Sequence, residues 1–188
     1  MKNDNVRIRM RGPLLSGPIG SATTLAALAR WMEGCVPVVV LGPPWLGREA
    51  ARAGNVLMLV DGGSRTLALR ALRRARKDKR SLDVALAAAE LPIRRGALPA
   101  LVVENVASLP ADDAARWLAA LVPCLRPGGR LIAADATAST ASAARVADAF
   151  LSAALASIVQ EWPREGAVLT VGVAPATRIV TARFGLAP

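Results

Sequence analysis

LPADDAARWLAALVPCLRPGGRLIAAD, Leu109 to Asp135, is the stretch that decides the fold. Asp112 and Asp113 put two carboxylates at the start of a predicted helix, where they favour the positive end of its dipole. The helix runs through Trp117 and Leu121 towards Leu125, and Pro127 ends it. Gly128 and Gly129 permit a left-handed turn back into a sheet, and Arg130 to Ala134 follows as a short buried strand. A helix turning through a Pro-Gly-Gly corner into an apolar strand is a structural signal and carries no chemistry of its own.

Outward from this stretch, apolar runs alternate with amphipathic ones, which argues for βαβ units around a mainly parallel sheet. Val36 to Leu41 reads as a first strand, followed after Gly42 to Gly47 by a short helix around Arg48 to Ala53. Asn55 to Val60 is the second strand. It ends in Asp61, and Ser64 can cap a helix to about Lys77 with Leu67, Ala68, Ala71, Leu72 and Ala75 as its apolar stripe and Arg70, Arg73, Arg74 and Lys77 as its wet face. Leu82 to Leu86 and Ala100 to Val103 read as strands three and four, and a helix from about Ser139 to Ala154 follows the fifth. Ser157 to Trp162 and Ala167 to Val173, separated by Pro163 to Gly166, have the spacing of an antiparallel hairpin. Arg178 to Phe184 can add another strand, Thr24 to Met32 reads as a helix before the first strand, and Val6 to Arg11 is an edge strand or a basic arm.

At 188 residues the chain is expected to form a single domain, with residues 1–20 as a basic arm and loop. Hydrophobic residues make up 53% and charged residues 20%, too apolar for disorder and too often interrupted for a membrane span. Nothing near Met1 has the apolar core of a signal peptide, so a cytoplasmic protein with no membrane partner is expected. Cys35 and Cys124 lack CxxC spacing and are expected to be reduced and partly buried. There is no histidine, which removes the commonest general base and transition-metal ligand and, with them, zinc-hydrolase and Ser-His-Asp chemistry; no metal is expected. The net charge of +10, from 24 basic and 14 acidic residues, favours anionic partners such as nucleic acid. Codon bias in an arginine- and alanine-rich chain gives the same imbalance, and no Phe or Tyr is interleaved with the cations to stack on single-stranded bases.

With the strand order and the Pro-Gly-Gly turn in place, the chain resembles the class I S-adenosylmethionine-dependent methyltransferases, in particular the methyltransferase type 11 branch, over roughly Val36 to Val173. The resemblance implies an α/β, Rossmann-like methyltransferase fold: a mainly parallel sheet of about seven strands, a C-terminal antiparallel hairpin, and helices on both faces. S-adenosylmethionine is the cofactor it implies. AAAELPI, Ala87 to Ile93, resembles the segment that receives the adenine, with alanine where an acid is usual; ALVVENV, Ala100 to Val106, resembles the strand beside the methyl donor, its usual leading Asp replaced by Ala100. The cofactor-binding positions implied are Gly42, Trp45, Asp61, Gly62, Ala88, Glu104 and Asn105. Asp61 lies 19 residues beyond Gly42, close to the spacing at which a carboxylate accepts ribose hydroxyl protons; an acid at a helix N-terminus is the alternative use of it. Glu104 and Asn105 fall at a strand's carboxyl end, where open α/β sheets place ligands, or equally in a solvated loop.

The first loop departs from the family pattern of an acid, one apolar residue and GxGxG. LGPPWLG, Leu41 to Gly47, keeps only Gly42 in register: Val40 replaces the acid, Pro44 and Leu46 stand where the second and third glycines belong, and Gly47 is one place late. Pro43 and Pro44 lack amide protons, and Pro44, Trp45 and Leu46 add side chains where the methionine part of the donor lies. Each lost hydrogen bond to a charged group costs about 1.5 to 3 kcal/mol, roughly tenfold to hundredfold in affinity. The expectation is a methyltransferase-fold protein with weakened or lost S-adenosylmethionine binding and a binding or interaction role towards a small molecule or a protein. Two alternatives stand beside it: a divergent active small-molecule methyltransferase, in which Trp45 closes an apolar lid over the ligand, and a nucleic-acid-associated methyltransferase-like protein. No catalytic residue is singled out.

Overall fold

The computed structural model describes residues 22–52, 54–60, 65–86, 93–136 and 138–176. Helix α1 (Ala22–Met32) precedes β1 (Val38–Leu41), α2 (Pro44–Ala50), β2 (Val56–Val60), α3 (Arg65–Lys77) and β3 (Leu82–Leu86). After these come β4 (Leu98–Glu104), α4 (Ala111–Leu121), β5 (Leu125–Asp135), α5 (Thr140–Ser152), β6 (Ala156–Arg164) and β7 (Ala167–Val173). Seven strands form one sheet in the order β3-β2-β1-β4-β5-β7-β6. Strands β1 to β5 pair in parallel and β7 pairs antiparallel to both β5 and β6, so the expected mainly parallel sheet with a C-terminal hairpin is what forms. The expected strand at Arg178 to Phe184 and the arm at Val6 to Arg11 lie outside the described residues.

The central strands are apolar on both sides because each face carries helices. On one face Val40, Met58, Ala100, Val102 and Ile132 pack with Leu28 of α1, Leu46 and Ala50 of α2, and Ala68, Ala71 and Ala75 of α3. On the other, Leu41, Leu101, Val103, Leu131 and Ala133 pack with Ala114, Leu118 and Leu121 of α4 and with Val146, Ala149 and Phe150 of α5. Helix α1 is tied across the first face to β6 and β5: Trp31 Nε1 donates to Glu161 Oε2 of β6 at 2.8 Å, Arg30 pairs with the same carboxylate, and Arg130 Nη1 of β5 donates to the Trp31 carbonyl at 2.6 Å. Ser139 caps α5 in a reciprocal box with Ser142. Among the described residues no helix is long and apolar enough to cross a membrane.

Most boundaries shift by a residue or two, with Pro163 and Arg164 inside β6 and not in its turn, and two elements differ further from the sequence-based expectation. Helix α2 begins at Pro44, four residues before the expected Arg48, because proline at the first helical position loses no hydrogen bond and its fixed φ suits the helix. The Pro-Gly-Gly corner does not end α4; Leu121 does, followed by a 3-10 turn at Val122–Cys124. Instead Pro127 to Gly129 lies inside β5, where the pairing jumps from Leu98↔Leu125 to Ala100↔Arg130. Gly128 takes φ +74°, and a Cβ on Gly129 would stand 2.8 Å from the carbonyl oxygens of Arg126 and Leu98.

Candidate functional site

The chain leaves β1 on one side towards β2 and β3, then returns to place β4 on the other side of β1. The carboxyl ends of β1 and β4 therefore flank the switch point at which open α/β sheets bind ligands. Leu41 is paired with Val103, which sets Gly42 beside Glu104. A Cβ on Gly42 would come within 3.5 Å of Glu104 Cβ and 4.0 Å of its Oε2, and within 3.2 Å of Leu46 Cδ2. Both neighbours are buried: Glu104 is 2% exposed and Leu46 not at all. The floor of the crevice at this point is thus a glycine backbone covered by one leucine and one carboxylate.

The donor inventory follows from the start of α2. Pro43 is the N-cap, with φ −67° and ψ 152° and no side-chain cap, and Pro44 is the first helical residue. Neither has an N–H. The Leu46 N–H donates to the Pro43 carbonyl at 2.9 Å, closing the first turn on itself. A glycine loop that cradles an anion does so with a fan of free amides. Here the two prolines and that internal bond take three amide positions away from the crevice.

Trp45 is partly buried and packs against the core between α1, α2 and α3, as Trp31 does. Gly47, one place late for the sequence pattern, performs a packing role: a Cβ there would lie 2.5 Å from Met58 Sδ and 3.1 Å from Met58 Cβ, so α2 approaches β2 through it. Close helix-to-strand packing is what the last glycine of such loops provides.

Glu104 and Asn105 sit at the end of β4, as expected. Asn105 is left-handed, at φ 62° and ψ 34°, a conformation asparagine tolerates better than most residues. Its N–H donates to the Ala134 carbonyl at 3.1 Å, and its carbonyl accepts from Ser108 Oγ at 2.8 Å. Asp61, Gly62 and Ala88 lie outside the described residues, so the structure brings together Gly42, Glu104 and Asn105 from the predicted set.

Sequence reasoning missed Asp135 as a site residue. It ends β5, is 1% exposed, and accepts the Ala107 N–H at 2.8 Å through Oδ1, which holds the 3-10 turn Val106–Ser108 that follows Asn105. Its Oδ2 is buried with no hydrogen-bond partner among the described residues. Burial pushes the carboxyl up from 3.8 to about 6, against the smaller opposing pull of the Ala107 and Val106 amides. Since Glu104 is opposite Ala134 in the ladder, Asp135 points to the other face of the sheet. The two buried acids at this end therefore serve different faces, Glu104 towards α2 and Asp135 towards the turn and α5. The signal available in sequence was the acid closing an apolar strand in LIAAD.

No family model matches the chain, and no curated protein does. Solved structures do. An O-methyltransferase family protein from Burkholderia thailandensis superposes with a TM-score of 0.66 at 12% identity, over 82% of this chain and 56% of that one. PigF, solved with SAH, gives 0.62 at 15% identity over 79% and 54%. The complex of the Haloferax volcanii Trm112 methyltransferase activator with a methyltransferase gives 0.62 at 21% over 81% and 89%. The chain spans about half the length of PigF and of the Burkholderia protein. The likeness extends to the [4+2]-cyclase SpnF, at 0.63 and 12% identity. At these identities what is shared is the fold, which is the Rossmann-like methyltransferase fold.

Proposed function

We propose that this chain is a binding or interaction protein built on a methyltransferase scaffold whose capacity for S-adenosylmethionine is weakened or lost. The observation that carries this reading is the start of α2, with proline at the N-cap and first helical position and Leu46 buried against Gly42. The methionine end of the cofactor presents a carboxylate, an ammonium and a sulfonium, and recognition of the carboxylate relies on amides that two prolines do not have. The crevice side chains fit the group poorly. Among the described residues Glu104 is the one beside Gly42 with chemistry suited to the ammonium, and it supports the second reading, a divergent small-molecule methyltransferase.

Isothermal titration with S-adenosylhomocysteine and S-adenosylmethionine separates the two. Losing two charged-group hydrogen bonds weakens binding by about 3 to 6 kcal/mol, a hundredfold or more, so no saturation is expected at tens of micromolar ligand. A dissociation constant in the low micromolar range would sink the scaffold reading and favour the enzyme.

A further inference from the structure

We propose that the outward ridge of α3, formed by Arg70, Arg73, Arg74 and Lys77, is a docking surface for the phosphate backbone of double-stranded DNA. It gives the interaction role a partner and stands whether or not the cofactor binds.

The charge is concentrated. Residues 65–80 carry eight Arg or Lys and one acid, Asp78, so this one helix and the turn after it hold seven of the chain's ten net positive charges. Residues 70, 73, 74 and 77 follow the i, i+3, i+4, i+7 spacing of a single helix face, spanning about 10 Å along the axis. None of the four makes an ion pair among the described residues, whereas the neighbouring Arg48, Arg52 and Arg80 share the buried carboxylate of Glu49. Like charges three and four residues apart destabilise a helix, and α3 contains no acid to relieve them. The helix dipole favours cations only in its last turn, and Arg70 lies two turns from that end. An external polyanion relieves the whole ridge.

The shape of the helix selects among polyanions. Only Ala68, Ala71 and Ala75 of its 13 residues are buried, and nine are exposed, so α3 packs through a narrow alanine stripe and most of its circumference faces solvent. The exposed face of a helix about 10 to 12 Å across matches the roughly 12 Å major groove of B-form DNA, whereas the major groove of an RNA duplex is too narrow to receive it. A membrane surface is disfavoured: the exposed Leu67 and Leu69 lie on opposite flanks of the ridge, about 200° apart, and form no common apolar face. Single strands are disfavoured because residues 65–80 contain no aromatic side chain for bases to stack on.

The test is fluorescence anisotropy of the full chain with a labelled mixed-sequence 20-base-pair DNA duplex and the RNA duplex of the same sequence, across a salt series. Four phosphate contacts predict a log K against log salt slope of roughly −3.6 or steeper for DNA. Arg70→Gln with Arg74→Gln should make the slope shallower by about 2 and weaken binding at least tenfold, and Lys77→Gln alone should change it by about 1. Arg126→Gln with Arg164→Gln removes the same charge at exposed positions elsewhere and should leave the slope unchanged. Urea midpoints confirm that each variant is folded. A ridge pair without effect, a control pair as damaging as the ridge pair, or an RNA duplex bound as tightly as DNA would each overturn the proposal. Cofactor titration is a separate readout, so failure here leaves the reading of the crevice untouched.

Discussion

Asp135 should make the protein less stable as the pH rises from 4 to 7, and replacing it with asparagine should remove that dependence. In the folded chain its carboxyl is raised from 3.8 to about 6, chiefly by burial. The folded state therefore holds the proton more tightly than the unfolded state does. Its contribution to stability is fully present below pH 3.8, declines above it, and is lost once the pH passes about 6. A shift of about two units corresponds to about 3 kcal/mol at pH 7, and to somewhat more than half of that at pH 5. For a chain of 188 residues this is a drop of roughly 6 to 12 °C in melting temperature.

Asp135→Asn isolates this contribution. The amide oxygen can still accept the Ala107 N–H, while the amide nitrogen replaces Oδ2, which has no partner among the described residues. That unpaired donor costs about 1 to 3 kcal/mol at every pH, so the offset between variant and wild type carries no information. The slope does. Urea unfolding of both proteins at pH 4, 5, 6, 7 and 8 should give a difference that moves in favour of the variant by about 2.4 kcal/mol between pH 4 and pH 7 and then levels off. A difference that is flat with pH, or that moves in favour of wild type, would refute the burial argument.

Gly47→Ala should lower stability by about 1 to 3 kcal/mol, because its Cβ would overlap Met58 by more than the roughly 1 kcal/mol gain in helix propensity offsets; combining it with Met58→Ala should give a non-additive recovery in urea midpoints. Gly129→Ala should be worse, since the atoms it meets are backbone oxygens that cannot swing away, and loss of the cooperative thermal transition is the readout. Cys124, fully buried and with its thiol pushed up to about 11 by burial, should resist iodoacetamide at pH 8 in the native protein and react in urea, as followed by mass spectrometry.

Much of the sheet was legible because each signal was local and redundant. Leu82 to Leu86 is a short, mostly apolar run interrupted by the exposed Asp83 and set off by Ser81, and its strand boundaries are those expected. The hairpin spacing around Gly166 gave the antiparallel pair, and the structure adds the turn, with Gly166 at φ +72°. Local signals failed where one residue type has two opposite uses. Pro43 and Pro44 read as loop, yet proline is also a good helix start, and the chain uses it so in α2. The Pro-Gly-Gly corner read as a helix stop but makes the irregularity in β5. Asp135 needed a tertiary fact, the turn after β4 lying beside the end of β5, which no spacing within either segment encodes.

On the proposed reading, in which cofactor binding is weakened or lost, fold and cofactor chemistry part company at few positions of the crevice, and packing gives a reason. An open glycine loop leaves amides without partners and a surface without side chains, which suits a ligand and contributes little to the apo protein. Here the same positions stabilise the fold. Burying Leu46 contributes about 1.5 to 3 kcal/mol, and proline at the first helical position restricts the unfolded chain at a site whose φ already suits it. Gly47 is kept where α2 must approach Met58, and Gly42 where the chain passes Glu104, so the glycines that remain are those that packing requires. On the proposed reading, Pro44 and Leu46 stand where a ligand, not the protein interior, would have demanded glycine. If the proposed loss of the cofactor holds, such a pattern is what the scaffold should accumulate, because only destabilising changes are then removed.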